Sequence, residues 1–155
     1  MELKTGNYPT TLDDKGRVSI PVKFRDRYSG ELVITLGMKP CAWVMKPEVW
    51  DHVAEKLTNS DLITEEERFL IEHKYVNQAQ VVELDKAGRI SVPATIRRYA
   101  RLTKECLVIS AENRLEIWDE EFFFSFLEDN QEAVQAAMNK MGSLKLFKMS
   151  GGDSI

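Results

Sequence analysis

Apolar and polar residues alternate in two short stretches, Val18-Ser19-Ile20 and Ile90-Ser91-Val92, each closed by a proline. That alternation is the period of a half-buried strand. Each stretch belongs to a longer segment that the chain writes twice. Leu12-Asp13-Asp14-Lys15-Gly16-Arg17-Val18-Ser19-Ile20-Pro21 returns as Leu84-Asp85-Lys86-Ala87-Gly88-Arg89-Ile90-Ser91-Val92-Pro93. Asp13 and Asp85 open turns by accepting hydrogen bonds from the backbone ahead of them, and Gly16 and Gly88 supply the positive φ of a tight reversal. Pro21 and Pro93 end the strand and pre-set the first turn of a helix. The unit predicted is strand, turn, strand, short helix.

The same order continues in both copies. Gly6-Asn7-Tyr8-Pro9-Thr10-Thr11-Leu12 reads as an extended lead, with Pro9 at an edge. A helix near Val22 to Tyr28 precedes the hairpin Leu32-Val33-Ile34-Thr35 and Ala42-Trp43-Val44-Met45. Pro47 then opens a helix in which Val49, Trp50, Val53, Ala54 and Leu57 fall at helical spacing, as a core stripe does. In the second copy Leu107-Val108-Ile109-Ser110 and Leu115-Glu116-Ile117-Trp118 form the hairpin, and Phe122, Phe123, Phe126 and Leu127 line the following helix. About four strands and two helices in some 50 residues are marginal for an independent core. The copies are therefore expected to pack as a pseudo-twofold dimer within one chain.

Between them, Thr64-Glu65-Glu66-Glu67 has the spacing of a capping box and starts a helix reaching about Tyr75 or Gln78. Phe69, Leu70, Ile71, Tyr75 and Val76 cover too much of its circumference for a solvated linker, so it should pack on the body or on a neighbouring subunit. Beyond Asn130, Val134, Ala137, Met138 and Met141 share a helical face, followed by a basic, apolar stretch at 144–149 and an end at 150–155 expected to be disordered. The division predicted is 5–57 for the first copy, 58–79 for the connecting helix, 80–130 for the second copy and 131–155 for the extension.

Composition changes this picture little. The 155 residues are 43% hydrophobic and 30% charged, as in an ordinary globular protein. No run nears the roughly 18 apolar residues of a membrane span, and Met1-Glu2-Leu3-Lys4 begins no signal peptide, so a cytoplasmic location is expected. Cys41 and Cys106 lack C-x-x-C partners and read as small buried hydrophobes. His52 and His73 have no partners at metal or triad spacing, and no phosphate-cradling glycine motif occurs. No enzyme, metal, cofactor, small-molecule substrate or membrane partner is expected.

Charge distribution changes it more. The net charge is −4, yet Lys15, Arg17, Lys23, Arg25 and Arg27 are opposed only by Asp26, and Lys86, Arg89, Arg97, Arg98, Arg101 and Lys104 are unopposed. Acids gather at Glu65-Glu66-Glu67 and through Glu116, Asp119, Glu120, Glu121, Glu128, Asp129 and Glu132. Such segregation lets an acidic protein present a basic face. Turn chemistry accounts for Asp and Gly but not for the arginine that follows each glycine. Arg17 and Arg89, with Lys15 and Lys86, are thus candidate DNA-binding residues; Asp13, Gly16, Asp85 and Gly88 shape the turns. Arg25 and Arg97 are candidate phosphate contacts.

The doubled L-D-x-x-G-R-φ-x-φ-P unit, the Gly6-x-Tyr8 lead and Asn113-Arg114-Leu115-Glu116-Ile117-Trp118 resemble the MraZ family of bacterial transcription regulators over residues 5 to about 130. The resemblance implies an α+β fold of two tandem AbrB-like (SpoVT-AbrB) swapped-hairpin β-barrel halves with short helices. It also implies a nucleoid-associated regulator of the division and cell-wall gene cluster that binds short direct repeats in double-stranded promoter DNA as a homo-oligomeric ring. Two features depart from the pattern: the motif lysine is shifted by one place between the copies (Lys15 against Lys86), and the segment after Asn130 has no counterpart. The rival reading is a protein-binding scaffold or antitoxin-like module on the same fold, using Trp43, Trp50 and the Phe122 to Phe126 cluster.

Overall fold

A computed structural model describes residues 5–142 and 146–149. It forms two compact units, one up to Glu120 and one from Glu121 onward. In the first unit the strands are β1 (Gly6–Thr11), β2 (Arg17–Ser19), β3 (Leu32–Leu36), β4 (Ala42–Met45), β5 (Gln80–Val82), β6 (Arg89–Ser91), β7 (Glu105–Ser110) and β8 (Leu115–Asp119). Helices α1 (Val22–Arg25), α2 (Pro47–Thr58), α3 (Glu65–Ile71) and α4 (Ala94–Tyr99) complete it.

The two copies exchange strands. β1 pairs with β7 of the second hairpin, and β5 pairs with β3 of the first, both antiparallel. With β4 joined to β8 through Trp43 opposite Glu116, the order is β1-β7-β8-β4-β3-β5, a six-stranded antiparallel sheet. β2 and β6 form a separate ribbon with Val18 opposite Ile90. The expected barrel halves thus take the form of an open sheet faced by a ribbon; among the described residues no barrel closes. Each copy hands its leading strand to the other, so neither hairpin could complete its own layer.

The core lies between sheet and ribbon. Val18, Ile20, Ile90 and Val92 from the ribbon segments, with Phe24 and Ile96 from α1 and α4, meet Leu32, Ile34, Val44, Val108, Leu115 and Ile117 of the sheet, all of them buried. Each such side chain contributes about 1.5–3 kcal/mol. Tyr8 of β1 adds an edge-to-face ring contact with Phe24 at 5.2 Å. Cys41 and Cys106 are buried, and burial pushes the Cys106 thiol up to about 12.

The capping box forms as the spacing predicts: Thr64 Oγ1 accepts from the Glu67 N–H, and the Glu67 carboxylate accepts from the Thr64 N–H. Helix α3 then widens into a π-helical turn over Glu72–Val76. That turn packs on the body, where the Thr35 hydroxyl donates to the Tyr75 carbonyl (2.7 Å) and the Tyr75 ring stacks on Trp43. Phe69 and Leu70, expected to be covered, are more than half exposed.

The second unit holds α5 (Glu120–Asp129) and α6 (Gln131–Lys140). Asn130 separates them, its side-chain amide donating to the Phe126 carbonyl at 2.7 Å. Val134 of α6 and Met141, which caps its C-terminus, are exposed. The expectation of a disordered end at 150–155 lies outside the described residues, as do Leu144 and Lys145.

The chain reversal after α1 uses Gly30 at φ 78°, whereas the reversal after α4 uses Arg101 at φ 59°. A side chain there is strained, because Cβ approaches the following carbonyl in left-handed backbone. Arg101→Gly is expected to raise unfolding free energy by about 0.5–1 kcal/mol in urea titration. Gly30→Ala should lower it by a similar amount through φ alone, since a Cβ at Gly30 would meet nothing within 4 Å.

Candidate nucleic-acid interface

Each doubled segment folds into the same three-residue turn. Gly16 N–H donates to the Asp13 carbonyl (3.0 Å) and Asp13 N–H to the Arg17 carbonyl (2.9 Å), with Gly16 at φ 78°. A turn closed by an i to i+3 bond and ending in a left-handed glycine is a common hairpin closure. The second turn repeats it through Gly88, Asp85 and Arg89, both bonds at 2.9 Å. The Asp side chain is the organiser. Asp13 Oδ1 accepts from the backbone N–H groups of Lys15 (2.9 Å) and Arg17 (2.8 Å), while Oδ2 accepts from Arg17 Nε (2.9 Å). Asp85 does the same with Ala87, Arg89 N–H and Arg89 Nε, each at 2.9 Å.

Each guanidinium is therefore anchored to its own turn's carboxylate through Nε. Arg89 Nη1 also comes within 3.9 Å of Asp13 Oδ2, from the other copy. That contact joins Asp13, Arg17, Asp85 and Arg89 into one cluster on one face. The arginine side chains retain about 27% and 33% of their exposure, so they are neither core groups nor freely waving ones. Lys15 and Lys86 are exposed on the turns beside them. Lys23 leans on Tyr8, its Nζ 3.1 Å from the phenol oxygen, and Arg98, Arg101 and Lys104 are exposed.

Arg25 and Arg97, the candidate phosphate contacts, each reach back to a main-chain carbonyl and a glycine turn. Arg25 Nε donates to the Ile20 carbonyl at 2.8 Å, and its guanidinium occupies the space where a Cβ on Gly88 would stand. Arg97 Nη1 donates to the Val92 carbonyl, and its guanidinium lies against Gly16 in the same way. Sequence spacing does not reveal this, because a helix-borne arginine and a glycine in the other copy share no local pattern. The two glycines thus serve twice, as positive-φ residues and as the floor under an arginine.

His52 and His73 are exposed, and His73 stacks on Phe69 with Nδ1 2.8 Å from the Phe69 carbonyl oxygen. No group of three or more His, Cys, Asp or Glu gathers among the described residues in a metal-binding arrangement. A groove of about 650 Å³ runs past Thr58, Asp61, Arg68 and Glu72, apart from the turn tips. No helix among the described residues is long and apolar enough to cross a membrane.

The backbone N–H of Arg17 holds the Asp13 carboxyl below its usual 3.8, and that of Arg89 does so for Asp85; the arginine side chains act in the same direction. A depressed folded-state value means that the carboxylates favour the folded turn above 3.8 and lose that contribution as pH falls through the lower folded value. Urea titrations are therefore expected to show stability declining as acid is added below pH 3.8, with a shallower decline over that interval in the Asp13→Asn/Asp85→Asn variant. Neither turn should add an inflection between about pH 6 and 8.

Comparison with known families agrees with the doubled architecture. The family described as "MraZ protein, putative antitoxin-like" matches residues 3–72 and again 76–142, one match for each copy. Strand exchange, paired Asp-x-x-Gly-Arg turns and the two matches together place the chain in the MraZ family.

Proposed function

We propose that the chain is a sequence-specific DNA-binding transcription regulator whose two turn tips read one groove together. The observation that carries this is the meeting of Arg17 and Arg89, from separate copies, in one half-exposed cluster with their aspartates. An arginine anchored through Nε can offer its terminal nitrogens to the paired acceptors O6 and N7 of guanine, a bidentate contact worth roughly 1–3 kcal/mol of discrimination; for Arg89 that contact would compete with the 3.9 Å approach of Nη1 to Asp13. Lys15 and Lys86 add phosphate contacts, which position without specifying. The Asp anchors supply orientation in advance, so little side-chain freedom is lost on binding.

So small a footprint binds weakly alone. The resemblance to MraZ regulators supports a ring of copies on short direct repeats upstream of the division and cell-wall cluster, in which each further contact forms at high effective concentration. The two copies within one chain differ, so a chain has a direction along DNA. Direct repeats suit subunits that all face the same way.

The family description as antitoxin-like favours a second reading, a partner-protein module on this fold. Salt separates them. For DNA binding, log K should fall against log salt by about 0.9 per phosphate neutralised. Absence of any salt-dependent binding to the protein's own upstream DNA would favour the protein-partner reading.

In gel-shift titrations on that DNA, Arg17→Ala and Arg89→Ala should each weaken specific binding by about 5- to 150-fold, while changing unfolding free energy by less than about 1 kcal/mol. Operators carrying several repeats should bind about 10²- to 10⁴-fold more tightly than a single repeat at fixed salt. Equal affinity for one and several would remove the multivalent ring from the mechanism.

A further inference from the structure

We propose that Arg25 and Arg97 are positioning residues, each clamping the recognition turn of the opposite copy so that the arginine beside it presents a fixed geometry to DNA. The inference rests on the DNA-binding reading of Arg17 and Arg89 but concerns groups that need not touch DNA. Three contacts define the clamp on the second turn. The Ile20 N–H donates to the Gly88 carbonyl at 2.9 Å, Arg25 Nε donates to the Ile20 carbonyl at 2.8 Å, and the Arg25 guanidinium covers Gly88. Gly88 directly precedes Arg89. The first turn is held in mirrored fashion: the Val92 N–H donates to the Gly16 carbonyl at 2.9 Å, Arg97 Nη1 donates to the Val92 carbonyl, and its guanidinium covers Gly16, next to Arg17.

The chemistry of the clamp requires arginine and glycine together. A planar guanidinium can lie flat on a peptide that has no Cβ while still donating along its edge, whereas a lysine ammonium keeps the charge but has neither the plane nor the fork. Both glycines are buried despite sitting in surface turns, because those guanidiniums cover them. Because each clamp crosses between copies, its consequences cross too. Loosening Arg25 should blur what Arg89 reads, and loosening Arg97 should blur what Arg17 reads. A phosphate contact would show no such crossing, and charge alone would satisfy it.

Arg25→Lys and Arg97→Lys test this, since both keep the charge. With the protein's own upstream repeats and single-base variants of them, Arg25→Lys should cut discrimination about tenfold at the base assigned to Arg89 by the Arg89→Ala variant. The base assigned to Arg17 should be read as before. Arg97→Lys should do the reverse, and affinity for random-sequence DNA and the salt slope should stay near those of the unsubstituted protein. Hydrogen exchange gives a readout without DNA: Arg25→Lys should speed exchange at the Ile20 N–H several-fold more than at the Val92 N–H, and Arg97→Lys the opposite. Full discrimination in both variants, or equal loss at both bases, would overturn the clamp. So would unchanged exchange at Ile20 and Val92. Crossed exchange effects with no base discrimination by Arg17 or Arg89 would uphold the clamp while removing the DNA-reading role on which its purpose rests.

Discussion

The antiparallel meeting of Val18 and Ile90, flanked by the backbone bonds from Ile20 to Gly88 and from Val92 to Gly16, is the constraint on which the rest of the first unit depends. It ties the two copies at the base of their turns, while β1 on β7 and β5 on β3 tie them at the edges of the sheet. A single copy would leave a hairpin without its neighbouring strand and a ribbon strand with no partner, each exposing backbone groups that need bonds. Hence the folding unit is the pair. Its formation requires contacts between residues some 50 to 100 positions apart, the kind of topology that folds slowly because distant segments must meet before they are rewarded. The return on that topology is geometric: two turn tips whose separation is fixed by hydrogen bonds rather than by a flexible linker.

Electrostatics at the tips balances orientation against attraction. Asp13 and Asp85 carry as much charge as Arg17 and Arg89, so the four-residue cluster by itself is close to neutral and, on the DNA-reading proposal, would draw DNA in only weakly. What the carboxylates contribute is order, because each takes two backbone N–H groups and one guanidinium edge. On the DNA-reading proposal, attraction is left to Lys15, Lys86 and the exposed cations of the helical segments, among which Asp26 is the one acid between Lys15 and Arg27 and none lies between Lys86 and Lys104. This division of labour suits a chain of net charge −4, whose acids are concentrated on other stretches. On that proposal, long-range steering and short-range reading are carried by different side chains.

Much of this was legible in the sequence. The doubled Asp-x-x-Gly-Arg segment showed the turn, its positive φ and its flanking strands, because those follow from local chemistry. Thr64 and Glu67 gave the capping box for the same reason. Strand pairing was less accessible: periodicity tells which face of β1 is buried but not that its partner is β7, and the pseudo-twofold packing was inferred only from the smallness of each copy. The clamp was hidden more completely. Arg25 and Arg97 look like solvated helix residues, and nothing in their local pattern points to a glycine in the other copy. Arg101 at φ 59° and the π-helical turn after α3 escaped as well, since both are fixed by tertiary demands against local preference.

The two copies share a plan but are not interchangeable, and the differences have mechanical meaning. β1 runs six residues along its sheet edge and β5 only three. Lys15 stands two places after its aspartate, whereas Lys86 stands one place after its own. A homodimer of a single copy would be confined to twofold symmetry and hence to palindromic contacts. Two divergent copies on one chain keep the shared platform of the ribbon and, on the DNA-reading proposal, let each turn read a different base step and approach the phosphates from a different position. Covalent linkage also removes the concentration dependence of pairing, so the platform persists at any dilution. On the DNA-reading proposal, polarity along the duplex then follows from drift between the copies, with no change to the turn chemistry that both retain.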